Sequence, residues 1–351
     1  MNDNELMKTM PVPQAVAKMA IPSIISSLVT VVYNMADTFF VGQTGDPLQV
    51  AAVSLTNPIF ILFMAFANMF GMGGSAAASI AMGENNKKRM KQVSAFITYA
   101  SLGVGIVFAA LLVLFMQPIL GIFGANAETY DLAKGYVFHI SYGAPFIIWS
   151  AAASFVVRSE GSSREAMIGS MIGTVANIVL DPIMISGLHM GAAGAAIATT
   201  IGNVMASAYY LWYFVKKSPN FSILPKDFSL ENRLAATICS CGLPTAIFSM
   251  LMSLSTIILN QILVAYGNAP VAAIGIVFKA NMFITFLQMG LANGVQPLLG
   301  YNFGSGDTKR FHAVESYTKK CCLIVGILAT ALFFFFRRPI IQMFINDEEV
   351  I

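Results

Sequence analysis

Apolar runs of about twenty residues or more recur along this chain, each long enough to cross a bilayer as a helix. No water reaches the backbone inside a bilayer. A spanning segment outside a closed barrel must therefore satisfy its own peptide groups as a helix. Composition agrees: the chain is 57% hydrophobic and 11% charged, where soluble domains carry about 25% charged residues. The runs cover roughly residues 18–41, 50–82, 93–116, 133–157, 166–187, 192–215, 234–265, 270–301 and 317–336. The predicted fold class is an all-α polytopic membrane protein with about nine transmembrane helices. Pro22 is placed in the first turn of the first span, where proline is tolerated. Pro58 and the Gly71–Gly74 cluster predict a tilted or bent second span.

Basic residues set the orientation. With the N-terminus inside, 16 of the 20 Lys and Arg fall on the inner face, among them Lys87, Lys88, Arg89, Lys91, Lys309 and Arg310. That asymmetry places the N-terminus in the cytoplasm. Lys134, Arg337 and Arg338 fall outside, and Lys279 lies within a span. The first 17 residues are polar and mixed, so no cleavable signal peptide is expected, and the first apolar run directs insertion itself.

A displaced repeat organises the chain. A shift of 221 residues lays Val50-Ala51-Ala52-Val53 on Val271-Ala272-Ala273-Ile274, Lys88-Arg89 on Lys309-Arg310, and Pro118-Ile119 on Pro339-Ile340. Each repeat unit holds six spans. An even number gives both units one orientation, related by an axis along the membrane normal. The first lobe is assigned to residues 1–217 with six spans. The second, 218–351, holds three and is incomplete relative to the repeat, with 216–233 as a linker. The chain alone is accordingly expected to be unstable or inactive.

The stretch Asn177-Ile178-Val179-Leu180-Asp181-Pro182 lies inside the fifth span. A carboxylate near bilayer depth costs about 2.5–3.5 kcal/mol on insertion scales and marks an ion or substrate path by default. Asn177 is four residues before Asp181, hence on the same helix face. Pro182 removes a donor and is expected to free the Ile178 carbonyl, so one turn offers a carboxylate, a carboxamide and a carbonyl, as in the broken helices of transporters. The competing reading is a carboxylate near a helix end that snorkels to the interface. Asp37 is the other acid inside a run, with Tyr33 and Asn34 on its face. A rise of 1.5 Å per residue puts Asp181, Thr199 and Asp37 about 9, 12 and 6 Å below the outer ends of their spans, at comparable depth. Thr174 and Asn203 extend the same faces inward and, with Tyr33 and Asn34, would line a cavity. For Thr199, Thr174 and Asn203 the alternative is hydrogen bonding between helices.

Cys239, Cys241, Cys321 and Cys322 do not share helix faces as metal ligands would, and read as apolar fillers. His139, His189 and His312 are scattered. With no nucleophile–base pair, metal cluster or phosphate loop, the chain is not expected to be an enzyme, to need a cofactor or to bind nucleic acid.

The Asp37 region, Ser54-Leu55-Thr56-Asn57-Pro58, Asn177 to Pro182, residues 191–200 and Pro297 to Phe303 together resemble the multidrug and toxin extrusion (MATE) family, in its MepA-type bacterial branch. The resemblance covers essentially the whole chain. It implies a two-lobed, alternating-access antiporter in a bacterial cell membrane, a monomer, that exports cationic or amphiphilic drugs in exchange for protons or sodium. It implies a cation or proton site at Asp37, Asn177, Asp181 and Thr199. The substrate cavity would hold Tyr33, Asn34, Thr174, Asn203 and Lys279, the last either lining the second lobe or pairing with a group beyond this chain. One rival is a flippase for lipid-linked oligosaccharide, whose phosphates would select a basic cavity. Two acids and no intramembrane Lys or Arg in the first lobe favour cationic cargo, while Lys279 keeps the rival open. A second rival is an inactive, truncated remnant of an exporter.

Overall fold

The protein is described by a computed structural model over residues 3–42, 46–264, 268–336 and residue 339. Its helices are α1 (Asp3–Lys8), α2 (Val12–Gly42), α3 (Pro47–Gly83), α4 (Lys87–Leu114), α5 (Met116–Ile122), α6 (Tyr130–Ser159) and α7 (Ser163–Asp181). After them come α8 (Gly191–Trp212), α9 (Leu234–Val264), α10 (Asn268–Gly304) and α11 (Thr308–Phe335). A π-helical turn, Pro182–Gly187, continues α7, and another, Tyr213–Lys217, continues α8. Nine of the α-helices have nineteen residues or more, in the order the apolar runs predict, although α2, α4 and α11 begin six to nine residues before their runs. Among the described residues seven helices are both long and apolar enough to span. The other two long helices are the Gly/Ala-rich α8 and α10, which carries Asn281, Gln288, Asn293, Gln296 and Asn302.

The repeat is written into the helix ends. Moving α3 and α4 by 221 residues reproduces both bounds of α10 and of α11. The caps move with them. Asn86 Oδ1 accepts the Arg89 N–H at 3.0 Å, and Asp307 Oδ1 accepts the Arg310 N–H at 3.0 Å. These N-caps satisfy donors a helix start leaves open. Just before them Asn85 (φ 56°) and Gly306 (φ 75°) take the left-handed conformation that ends the preceding helix.

The large core lies among α3, α4, α6 and α8, with α6 at its centre: Ile147, Ile148, Trp149, Ala152 and Val156 are all buried there. The second set, α9–α11, joins the first by reciprocal crossings, α3 on α9 and α10 on α2. Repeat-related glycines allow them. Gly73 of α3 meets the Ile238 carbonyl, and its counterpart Gly294 of α10 lies where a Cβ would stand 2.7 Å from the Met19 carbonyl oxygen. Helices without a hydrophobic driving force between them gain by such close backbone approach. These crossings lie in the helix halves nearer the end that carries Lys87–Lys91 and Lys309–Arg310, the basic end. Toward the other end Val32, Met35 and Phe39 of α2 and Phe248, Leu251, Leu254 and Ile258 of α9 are exposed.

Several local expectations are corrected. Pro22 is interior to α2, which begins ten residues earlier with Pro13 in its first turn. Apolarity marks membrane depth, whereas this helix extends past it into polar sequence. The short helices α1 and α5 replace what read as tail and loop. Pro118 sits in the first turn of α5, where its missing N–H costs nothing. Pro182 does not break its helix. Residues 182–187 widen into the π-turn, in which the Leu188 N–H donates to the Ile183 carbonyl at 2.8 Å, and π-turns of this kind favour functional sites.

The connection after α8 is no loose tether. Buried Glu160 accepts hydrogen bonds from Tyr213, Ser218 and Asn220 at 2.7–2.9 Å. Ser222 exchanges hydrogen bonds with Ser94, and Phe228 stacks on Phe96. Residues 218–228 thus belong to the first helical set, leaving only a few residues before α9.

Candidate functional site

Asp181, Asn177 and Thr199 come together as the helix periodicity predicts. All three are buried, at 0%, 3% and 5% exposure. Asn177 and Thr199 approach within 3.2 Å. With the carboxamide turned so that its nitrogen faces Asp181, Nδ2 donates to Asp181 Oδ2 at 3.0 Å. Asn177 Oδ1 then accepts from Thr199 Oγ1 at 3.2 Å and from the Thr199 N–H at 3.0 Å. Assigning the amide by its hydrogen-bond network selects this orientation. A carboxyl group with no solvent exposure is stable only when protonated, paired or holding a cation.

Glycine makes the approach possible. Gly173 on α7 faces Gly202 on α8, and a Cβ on Gly202 would lie 2.6 Å from the Gly173 carbonyl oxygen and 3.3 Å from Asn177 Cβ. The two helices run antiparallel from a turn in which His189 and Gly191 adopt φ of 54° and 55°. Gln49 of α3 closes that turn, its Oε1 accepting the Ala192 N–H at 2.8 Å. These glycines are not among the residues singled out from the sequence, although Gly169 and Gly173 stand at the four-residue spacing that lets helices approach closely.

The remaining predicted residues divide. Asp37 lies in α2, and its side chain is outside the described residues. Phe40, one turn on, packs on Ile185 and Ala195, so α2 brings this region to the π-turn. Tyr33 and Asn34 are half-buried on α2. Ser26, two turns before them, pairs with Ser170 of α7 at 2.6 Å, a link the sequence did not single out. Thr174 is half-buried, one turn inward from Asn177. Asn203 is held between helices: its Oδ1 accepts from Ser150 of α6 at 3.0 Å and its Nδ2 donates to the Thr199 carbonyl at 2.8 Å. Ser150 thereby joins the network one step from Thr199. Lys279 is exposed on α10, remote in sequence from these groups, and forms no ion pair among the described residues.

A family model described as MatE matches residues 22–183 and 244–351. The multidrug export protein MepA of Staphylococcus haemolyticus is 31% identical over 338 residues, covering 96% of this chain and 75% of that protein. MepA of Staphylococcus aureus (strain NCTC 8325 / PS 47) is 30% identical over 341 residues, with 97% and 75% covered. Among solved structures, an outward-facing multidrug resistance MATE family transporter of the MOP superfamily superposes with a TM-score of 0.92 at 26% identity, covering 98% of this chain and 76% of that one. A MATE transporter in complex with MaD3S gives 0.94 at 26% identity, covering 100% and 79%. A MOP superfamily transporter from Pyrococcus furiosus, described as having a binding pocket of reverse polarity, gives 0.91 at 26% identity, covering 100% and 77%.

Proposed function

The chain belongs to the MatE (multidrug and toxin extrusion) family, and on that footing we propose that it exports cationic or amphiphilic drugs across a bacterial cell membrane in exchange for protons or sodium. The observation that carries this is the buried Asp181–Asn177–Thr199 constellation, one carboxyl group with two oxygen-bearing neighbours on facing helices. Asp37, at similar predicted depth on α2, is proposed as the second acid. Two carboxylates in a dry site resist holding two negative charges together. A proton, a sodium ion or a cationic drug each relieves that repulsion, so they compete, and competition is what exchange requires. The oxygens present serve a sodium shell and a protonated carboxyl equally, so the ion is left as one of these two. Tyr33, Asn34, Thr174 and Asn203 are the proposed first-lobe cavity and Lys279 the second-lobe member.

The basic end is proposed as the cytoplasmic one. The helix crossings near it then make the described state outward-open, in keeping with the outward-facing neighbour. The flippase reading needs a basic central cavity; against it stands a buried acid, Asp181, on α7 of the first set.

Expression of an export-competent form of the protein in bacteria stripped of their own exporters tests this. Cells should accumulate several-fold less of a fluorescent organic cation such as ethidium, and collapsing the ion gradients should abolish the difference. A cysteine at Asn86 should label only after the cells are permeabilised. Equal accumulation in expressing and empty cells, with the protein present in the membrane, would count against export.

A further inference from the structure

Arg310 reaches out of the second helical set to the first. Its Nε donates to the Met7 carbonyl at 3.0 Å and its Nη2 to the Met10 carbonyl at 2.7 Å. These carbonyls lie at the end of α1 and in the link to α2. The repeat-related residue makes the reciprocal contact: Arg89 Nη1 donates to the Glu231 carbonyl at 3.4 Å, just before α9. Arg89 and Arg310 are 221 residues apart, and so are Met10 and Glu231. Each arginine thus bonds the backbone that enters the first helix of the opposite set. Each also has its own N–H fixed by a cap, Asn86 or Asp307, so the root of each guanidinium is held.

The two contacts are unequal. Arg310 forks across two carbonyls at a helix C-terminus, where cations are favoured; Arg89 Nη1 reaches the Glu231 carbonyl at the longer distance of 3.4 Å. α1 strengthens the Arg310 side. Leu6 and Met7 are buried at 7% and 0% exposure, cluster with Leu291, Val295, Leu298 and Val314 of the second set, and also lie against Gly161 of the α6–α7 turn. On its other side α1 borders a cavity of about 680 Å³ through Glu5 and Lys8, shared with Asn85, Tyr301 and Asp307. The strap therefore packs its apolar side, Leu6 and Met7, between the two sets and turns Glu5 and Lys8 to the cavity. Between the sets, Gln296 Oε1 is buried with no hydrogen-bond partner among the described residues, so polar pairing deep in the seam is incomplete.

We infer that Arg310 and Arg89 form a repeat-related latch that holds the basic end shut, with α1 as a strap under the stronger half. This deepens the alternating-access reading, since the basic end must open for cargo to load from that side. Opening it breaks both arginine contacts, and the unequal halves predict unequal effects.

Nitroxide labels at Lys88→Cys and Lys309→Cys, exposed and related by the repeat, report the opening by pulsed electron paramagnetic resonance. The chain would be reconstituted with Cys239, Cys241, Cys321 and Cys322 replaced by serine. The parent should give mainly the short distance. Arg310→Ala should raise the longer-distance share by about tenfold, the order a lost charge-assisted hydrogen bond gives. Arg89→Ala should raise it less. Arg310→Lys should fall between, because an ammonium does not fork across two carbonyls. A control pair within the first set, Lys88 and Lys216, should not move. An unchanged Lys88–Lys309 distribution in Arg310→Ala overturns the latch, and so does a change that appears equally in the control pair. These distances need no transport. If the latch behaves as stated while no drug moves, it is the export reading that fails.

Discussion

Asp181→Asn is expected to reduce cation export to the level of empty cells in an export-competent form of the protein, with the fold intact. Asparagine keeps the shape of the buried side chain and can still pair with the Asn177 carboxamide. It cannot carry the charge that a proton, sodium ion or drug would neutralise in turn. Because the replacement is neutral in a site with no exposure, thermal unfolding should shift little or upward. Asp37→Asn should act the same way or nearly so. Thr199→Val removes one hydroxyl that approaches Asn177 at 3.2 Å and should weaken export only partially. Export and thermal unfolding measured on the same membranes decide the matter. Normal export by Asp181→Asn would make Asp181 structural.

The second large effect belongs to Gly202→Val. Its first carbon already meets the Gly173 carbonyl oxygen at 2.6 Å, and that backbone has no rotamer with which to move aside. α7 and α8 must separate where Asn177 and Thr199 meet. Overpacking costs about 1–3 kcal/mol, and a contact with backbone belongs at or above the upper end. Export should fall along with stability, since the same gap holds the site together. Gly103→Ala is the control: nothing lies within 4 Å of its added carbon, so stability should hold within about 0.5 kcal/mol. Thermal unfolding in detergent measures both, and a Gly202→Val protein as stable as the parent would contradict the packing account.

Much of this was legible in the chain. The apolar runs give the long helices because bilayer thickness fixes their length, and the 221-residue shift recurs in helix bounds, caps and left-handed turns. Asn177, Asp181 and Thr199 meet because four-residue spacing and a short α7–α8 turn leave little choice. What was hidden depends on tertiary contact. α1 has no periodic signal of its own; Leu6 and Met7 are buried by α10 and α11 and held by Arg310 from some 300 residues away. Pro182 reads as a helix breaker, yet a π-turn absorbs it, and local sequence does not distinguish those outcomes. Residues 218–228 look like a linker because their anchors, Glu160, Ser94 and Phe96, lie on other helices.

The most direct test of the central claim is ion movement driven by drug alone. The purified protein is reconstituted into sealed vesicles that carry a pH-sensitive dye or radioactive sodium inside, with no imposed ion gradient. Adding an organic cation outside should drive protons or sodium out of the vesicles as the drug enters, in proportion to the drug gradient. The same vesicles with Asp181→Asn should show no coupled movement. Drug entry without counter-movement of either ion, or equal ion movement in the Asp181→Asn vesicles, would contradict exchange at this site.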